Sequence, residues 1–177
     1  MEKLIDVAIS FAMENKELAE TVYHYLKAEG LSVFYAPAPE CQSMLSGENQ
    51  RESFYRIFGL DSKYVVLIVS KYYIAKTVPM EEARIALAKH DGDGKVIPIY
   101  TDGTPLPEKL LDPRETNYFC SDNAAVIAAH IAAKIKKSQQ ISKQTENRSK
   151  SENSMIVEHN SAQKQVFIQS FNGDWNL

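Results

Sequence analysis

A chain of 177 residues, 44% of them apolar, is long enough for one domain of ordinary size plus an extension. A net charge of −3 argues against a partner held by phosphate neutralisation, so no nucleic acid is expected. Cys41 and Cys120 lie outside any C-x-x-C pair, no apolar run reaches the roughly 18 residues of a membrane span, and Met1 to Asp6 lacks a signal peptide's apolar stretch; a metal-free, cytoplasmic protein off the membrane is expected.

Asp6 to Phe11 reads as the first strand. Asn15 suits the N-cap of a helix from Lys16 to Glu29, whose Leu18, Val22, Tyr25 and Leu26 share one face, and Gly30 ends it. Leu31 to Tyr35 is the second strand, followed by a long loop from Ala36 to Glu48 and a helix near Asn49 to Phe58. Tyr64 to Ser70 is short, apolar and β-branched, the mark of a strand buried on both faces. After a loop over Lys71 to Val78, Pro79 opens a helix with Glu81 and Glu82 near its positive end. Lys95 to Tyr100 is a fourth strand, in which Pro98 suggests an edge or a bulge. Thr116 to Cys120 is a short fifth strand, and Asn123 to Lys137 a final helix.

This alternation predicts an α/β fold: a flavodoxin-like, five-stranded parallel sheet in the order 2-1-3-4-5, with helices on both faces. The domain is expected over residues 1–137. Residues 138–164 read as a polar, flexible linker; the sequon Asn147-Arg148-Ser149 within it has no secretory context. Residues 165–177 regain a strand-like composition at Gln165 to Phe171, which suits an assembly or docking element, since a lone strand is not stable by itself.

Several chemistries fall away. No glycine follows the first strand, where a dinucleotide fingerprint would need it, and Gly92-Asp93-Gly94 sits in the wrong context. Walker A, H-E-x-x-H and G-x-S-x-G patterns are absent, and His24, His90, His130 and His159 show no ligand spacing. A phosphate-receiving regulator would need an aspartate closing the third strand, where Ser70 stands. Ligands of open α/β sheets bind outside the carboxyl ends of the strands. Ser10 and Phe11, the Ala36–Glu48 loop, and Val78 to Glu82 all converge there.

The order and spacing of these pieces resemble the bacterial TIR domain family over about residues 4–137. The resemblance rests on Asp6 to Phe11 followed by Asn15 to Glu20, on Leu26 to Tyr35, on Lys63 to Tyr73, on Glu82 with Ala86-Leu87 behind it, and on Lys95 to Tyr100. It implies an enzyme that cleaves the nicotinamide–ribose bond of NAD⁺, hydrolysing it or cyclising the product. NAD⁺ is then the substrate, and no cofactor is expected. The family's essential glutamate, often four residues beyond a tryptophan, falls on Glu82, with Val78 in the tryptophan's place. Ala36 stands where the family often has an aspartate. Ser10, Phe11, Ser43, Leu45, Ser46 and Val78 are candidates for lining the substrate pocket.

Family likeness further implies self-association through TIR–TIR contacts, activity switched on by assembly, a role in defence against phage, and a downstream nucleotide-sensing effector. Two other readings stand beside the enzyme: a non-catalytic scaffold working through TIR–TIR contacts, and a nucleoside N-glycosyl transferase, which has a related fold and also uses a glutamate. The chemistry itself is simple. Nicotinamide leaves as a neutral molecule, and the barrier lies in the cationic sugar, which a carboxylate can stabilise. A helix start is expected to keep Glu82 ionised. Glu81 and Glu82, about 100° apart around a helix, cannot face one cleft equally.

Overall fold

The chain was analysed as a computed structural model, which describes residues 4–90, 93–111 and 119–141. It divides into two units, Met1–Ala132 and Ala133–Leu177. Among the described residues of the first unit four strands form a parallel sheet: β1 (Ile5–Phe11), β2 (Val33–Phe34), β3 (Ser62–Val69) and β4 (Val96–Tyr100), in the order β2-β1-β3-β4. β3 lies between β1 and β4, and Val65 to Val69 are all fully buried. That burial explains a continuous apolar run instead of an alternating one.

The register sets the strand ends level. Ser10 pairs with Leu67 and Phe11 with Ile68, while Ile68 pairs with Ile99. The predicted fifth strand lies mostly outside the described residues. Cys120, its last residue, makes a parallel bridge to Tyr100, on the side of β4 away from β3. Pro98 occupies a buried place in β4 without a bulge, paired with Leu67. Alternate amides of a strand point to opposite sides. Tyr100, two residues on, sends its N–H outward to the Phe119 carbonyl, so the missing N–H of Pro98 also faces outward and costs β3 nothing.

The helices are α1 (Lys16–Ala28), α2 (Pro39–Leu45), α3 (Gln50–Phe54), α4 (Lys71–Ile74) and α5 (Thr77–Lys89). α1 buries Ala19, Val22, Tyr23 and Leu26. Gly30, at φ +80°, ends it: its N–H bonds the Lys27 carbonyl, and the Leu31 N–H bonds the Leu26 carbonyl. That is the Schellman pattern, in which only glycine is free of strain. The predicted loops at 36–48 and 71–78 hold the short helices α2 and α4. Asn49 caps α3 by accepting from the Arg51 and Glu52 amides. Beyond Phe54 the chain continues as a π-helical segment, Tyr55–Asp61. Its Gly59 lies so close to α5 that an added Cβ would stand 3.1 Å from Lys89 Cγ.

Residues 124–141 are helical, four residues beyond the predicted end and into the expected linker. Ala132 is the last residue of the first unit, whose core includes Ile127, Ala128 and Ile131. The rest of the predicted linker and the strand-like segment, residues 142–177, lie outside the described residues.

Candidate functional site

The carboxyl end of β1 leads through the short turn Met13–Asn15 into α1 and that of β3 into α4 and α5, and the turn between β3 and α4 is fixed by Ser70. Its hydroxyl accepts from the Tyr73 amide at 3.2 Å, a helix N-cap. The same hydroxyl donates to Asn15 Oδ1 at 2.7 Å. Asn15 stands at the N-cap of α1 as expected, yet its side chain makes no capping bond and ties the two strand ends together instead.

This clamp sets the one-turn helix α4 so that Tyr72 is exposed and Tyr73 fully buried. The Tyr73 hydroxyl lies 2.7 Å from Ser10 Oγ and donates to the Pro79 carbonyl at 2.9 Å. Ser10 Oγ in turn lies 2.5 Å from Glu82 Oε2. α5 begins at Thr77, so Pro79 is its third residue and Glu82 falls in the second turn, past the strongest part of the helix dipole. Glu82 is only 8% exposed. Burial pushes its carboxyl up to about 8, against the opposing pull of the Ser10 hydrogen bond. The expectation that the helix start keeps this group ionised is therefore corrected: burial raises its value, and the residue sits one turn in from the helix start. Burial, with the Glu82 charge next, holds the Tyr73 phenol well above its ordinary value. Glu81 points elsewhere, to Arg51 of α3 at 3.2 Å, as the angular argument requires.

Glu82 faces a cavity of about 570 Å³, within the range of sites that enclose a sizeable small molecule. Its walls come from the end of β1, the α2 region, α3 with the π-helical segment, and the start of α5. Phe11, Leu45 and Val78, all predicted, line it together with Glu82. Phe11 is half-exposed and stacks on Tyr35 at 5.3 Å, and Tyr35 stacks on Tyr23 at 5.1 Å, so a column of three rings backs that wall. Ser10 stands behind Glu82, buried, and not on the cavity surface. Ser43 and Ser46 do not line it. Ser43 is exposed and donates to the Glu40 carbonyl, and Ser46 is the exposed C-cap of α2; α2 as a helix, not a loop, turns both away.

Phe54, Phe58, Gln50 and Lys76 line the cavity as well. Lys76, the N-cap of α5, is held at 2.8 Å by Glu14 of the Met13–Asn15 turn after β1. Sequence reasoning missed these four. The aromatic pair Phe54 and Phe58 is visible in the sequence, but its direction depends on the π-helical turn, which no periodicity announces. Tyr73 was likewise within reach, and only the register of a one-turn helix decides that it, and not Tyr72, points inward. Among the described residues no group of three or more His, Cys, Asp or Glu side chains could hold a metal ion, and no helix is long and apolar enough to cross a membrane.

A buried carboxyl at the head of a mostly apolar cavity can stabilise a cation that develops against it, or donate a proton from its neutral form. Residues 7–145 match the TIR domain family. A relative, the 3′ cyclic ADP-D-ribose synthase of Aquimarina amphilecti, is 33% identical over 138 residues, covering 76% of this chain and 41% of that protein. The chain thus spans about two fifths of the length of this curated relative. The TIR domain of the Toll-related receptor TRR-2 from Hydra magnipapillata superposes with a TM-score of 0.57 at 18% identity, over 75% of this chain and 98% of that one, a likeness of fold alone.

Proposed function

The chain belongs to the TIR domain family, and on that premise we propose that it cleaves the nicotinamide–ribose bond of NAD⁺, with Glu82 as the catalytic residue. One observation carries the reading: of the two carboxyls lining a roomy cavity at the carboxyl ends of the strands, Glu82 is buried, at 8% exposure, while Glu48 is exposed. The relative named as a cyclic ADP-ribose synthase supports the same chemistry.

Nicotinamide carries a positive ring charge while bound to the ribose and is neutral once free. The charge passes to the sugar as the bond breaks. Ionised Glu82 faces that charge and lowers its energy in surroundings where few other dipoles compete. Phe11 offers an aromatic face to the departing flat ring. Lys76 is the cation on the cavity wall suited to the diphosphate. The relative named as a 3′ cyclic ADP-D-ribose synthase supports capture of the sugar cation by a hydroxyl of the same molecule, giving a cyclic ADP-ribose, over hydrolysis. Family likeness supports the setting of this activity: switched on by self-association through TIR–TIR contacts, in defence against phage, with its nucleotide product read by a separate effector.

The test is incubation of concentrated protein with NAD⁺, with chromatography of the products, beside Glu82→Gln. Parent protein is expected to release nicotinamide, and the variant to lose activity by about 10²–10³-fold or more, as when a transition-state electrostatic partner is removed. Equal release by both removes Glu82 from the reaction. No release under self-associating conditions favours the scaffold, and turnover of nucleosides but not NAD⁺ favours the transferase.

A further inference from the structure

Three short contacts join four groups in a row: Glu82 Oε2 to Ser10 Oγ at 2.5 Å, Ser10 Oγ to the Tyr73 hydroxyl at 2.7 Å, and that hydroxyl to the Pro79 carbonyl at 2.9 Å. Each needs one hydrogen between its two oxygens. Ser10 and Tyr73 each own one, and the Pro79 carbonyl owns none. With Glu82 ionised, two hydrogens must serve three contacts. With Ser10 donating to Glu82, the one hydrogen of Tyr73 has two contacts to serve, so either the two hydroxyls at 2.7 Å or the phenol and the Pro79 carbonyl at 2.9 Å are left with nothing between them. One more hydrogen, on the Glu82 carboxyl, completes the row. Glu82 then donates to Ser10, Ser10 to Tyr73, and Tyr73 to the Pro79 carbonyl.

We propose that Ser10 and Tyr73 are positioning residues that hold Glu82 as a neutral acid in the empty site and let it ionise when a cationic ring enters the cavity. The role assigned to that ring rests on the NAD⁺ reading above. On ionisation the Glu82 O–H bond breaks and the proton passes to solvent through the cavity. The row then reverses: Tyr73 donates to Ser10, Ser10 donates to the new carboxylate, and the Pro79 carbonyl gives up its phenol partner. The site thus holds no bare buried charge while it waits, and carries one only when a positive ligand is there to meet it.

The surrounding charges fit this account. From α4 the titratable group against Glu82 is Tyr73, which burial keeps neutral. On the cavity wall stand Lys76, paired with Glu14, and Glu48. On α5 itself Glu81 is paired with Arg51. β1 contributes Ser10 and Phe11, neither of them charged. Burial is the leading cause of the raised Glu82 value, with the Ser10 bond opposing it.

Infrared difference spectroscopy of the ligand-free protein tests the proposal, with Glu82→Gln marking the band. The carbonyl stretch of a protonated Glu82 is expected at neutral pH, disappearing only well above the ordinary carboxyl range. Tyr73→Phe keeps the ring and its packing but removes the end of the row, so ionisation no longer costs a hydrogen bond. Its midpoint is expected to fall by about one pH unit, the equivalent of one hydrogen bond. Ser10→Ala removes the donor to the carboxylate, and its midpoint is expected to rise. A mere loosening of the site would move both variants downward. Saturating 1-methylnicotinamide, a cation with no glycosidic bond, is expected to abolish the parent's band. The proposal is overturned by a ligand-free parent already ionised at neutral pH, by an unmoved midpoint in Tyr73→Phe, or by a band that persists at every concentration of the cation. The ligand-free titrations ask nothing about NAD⁺ cleavage, so they decide the protonation state even in a chain that proves not to cleave it.

Discussion

Ser10 Oγ stands 2.5 Å from Glu82 Oε2 across 72 positions of sequence, joining the end of β1 to the second turn of α5. The carboxyl it holds has a folded value of about 8 against an ordinary 4.5. The folded state therefore binds a proton that the unfolded state releases between those two pH values. The stability tied to this proton is fully present below pH 4.5 and is lost as the pH rises through about 8. Each unit is worth about 1.4 kcal/mol, so the loss amounts to a few kcal/mol as an order of magnitude. Glu82→Gln has no such proton to lose. Urea unfolding at pH 5 and pH 9 should show the variant gaining on the parent as the pH rises. A pH-independent difference would contradict the buried acid.

Val78 lies on the cavity wall, 39% exposed, where the family often carries tryptophan. An aromatic there would offer a flat face to the ligand. Val78→Trp should tighten NAD⁺ binding by about two- to tenfold, the range of an aromatic pair. Equilibrium binding in the Glu82→Gln background, which separates affinity from turnover, measures it.

Gly59 packs its α-carbon against α5, with Lys89 Cγ 3.1 Å and Ile85 Cγ2 3.3 Å from where a side chain would begin. Lys89 can give way to a methyl group, but a β-branched side chain meets Ile85 as well. Gly59→Val should cost about 1–3 kcal/mol by overpacking. Because Phe58 is the neighbouring residue on the cavity wall, the same change should also weaken ligand binding. Thermal unfolding and ligand titration read the two effects separately.

The Tyr35 hydroxyl is buried with no hydrogen-bond partner among the described residues, and burial, with the Glu20 charge next, pushes its phenol up to about 12. Its ring does the structural work between Phe11 and Tyr23. Tyr35→Phe should therefore be neutral or stabilise by up to about 1 kcal/mol, since removing an unsatisfied polar group relieves its desolvation cost. A loss of stability in denaturant unfolding would show that the hydroxyl has a partner after all.

Much of this fold is legible in the sequence because its strong signals are local. The Tyr64–Val69 run, the apolar face of α1 and the stop at Gly30 each state their structure within a few residues. The placing of Glu82 at a cavity is legible for the same reason: strand, connection and helix follow one another directly. What escapes reading depends on contacts between distant segments. The π-helical turn that aims Phe58, the choice of Tyr73 over Tyr72, and the turning away of Ser43 and Ser46 are settled by packing. Pro98 correctly marks β4 as the strand that ends the described sheet, though without a bulge, and only the pairing shows that its missing amide faces outward. The ionisation of Glu82 escapes as well, since burial is a property of the assembled fold.

The outer strand of the sheet, β2, is only Val33 and Phe34, and the Ser32 carbonyl beside it already receives the amides of Asp6 and Val7. Both residues are buried, and the Cys41 thiol already lies 3.9 Å from the Val33 carbonyl, so an incoming chain finds too few free backbone groups to extend the sheet on that side. Any stacking of copies past this border has to be written in side chains, whose identities single substitutions can change, and not in the main chain, which they cannot.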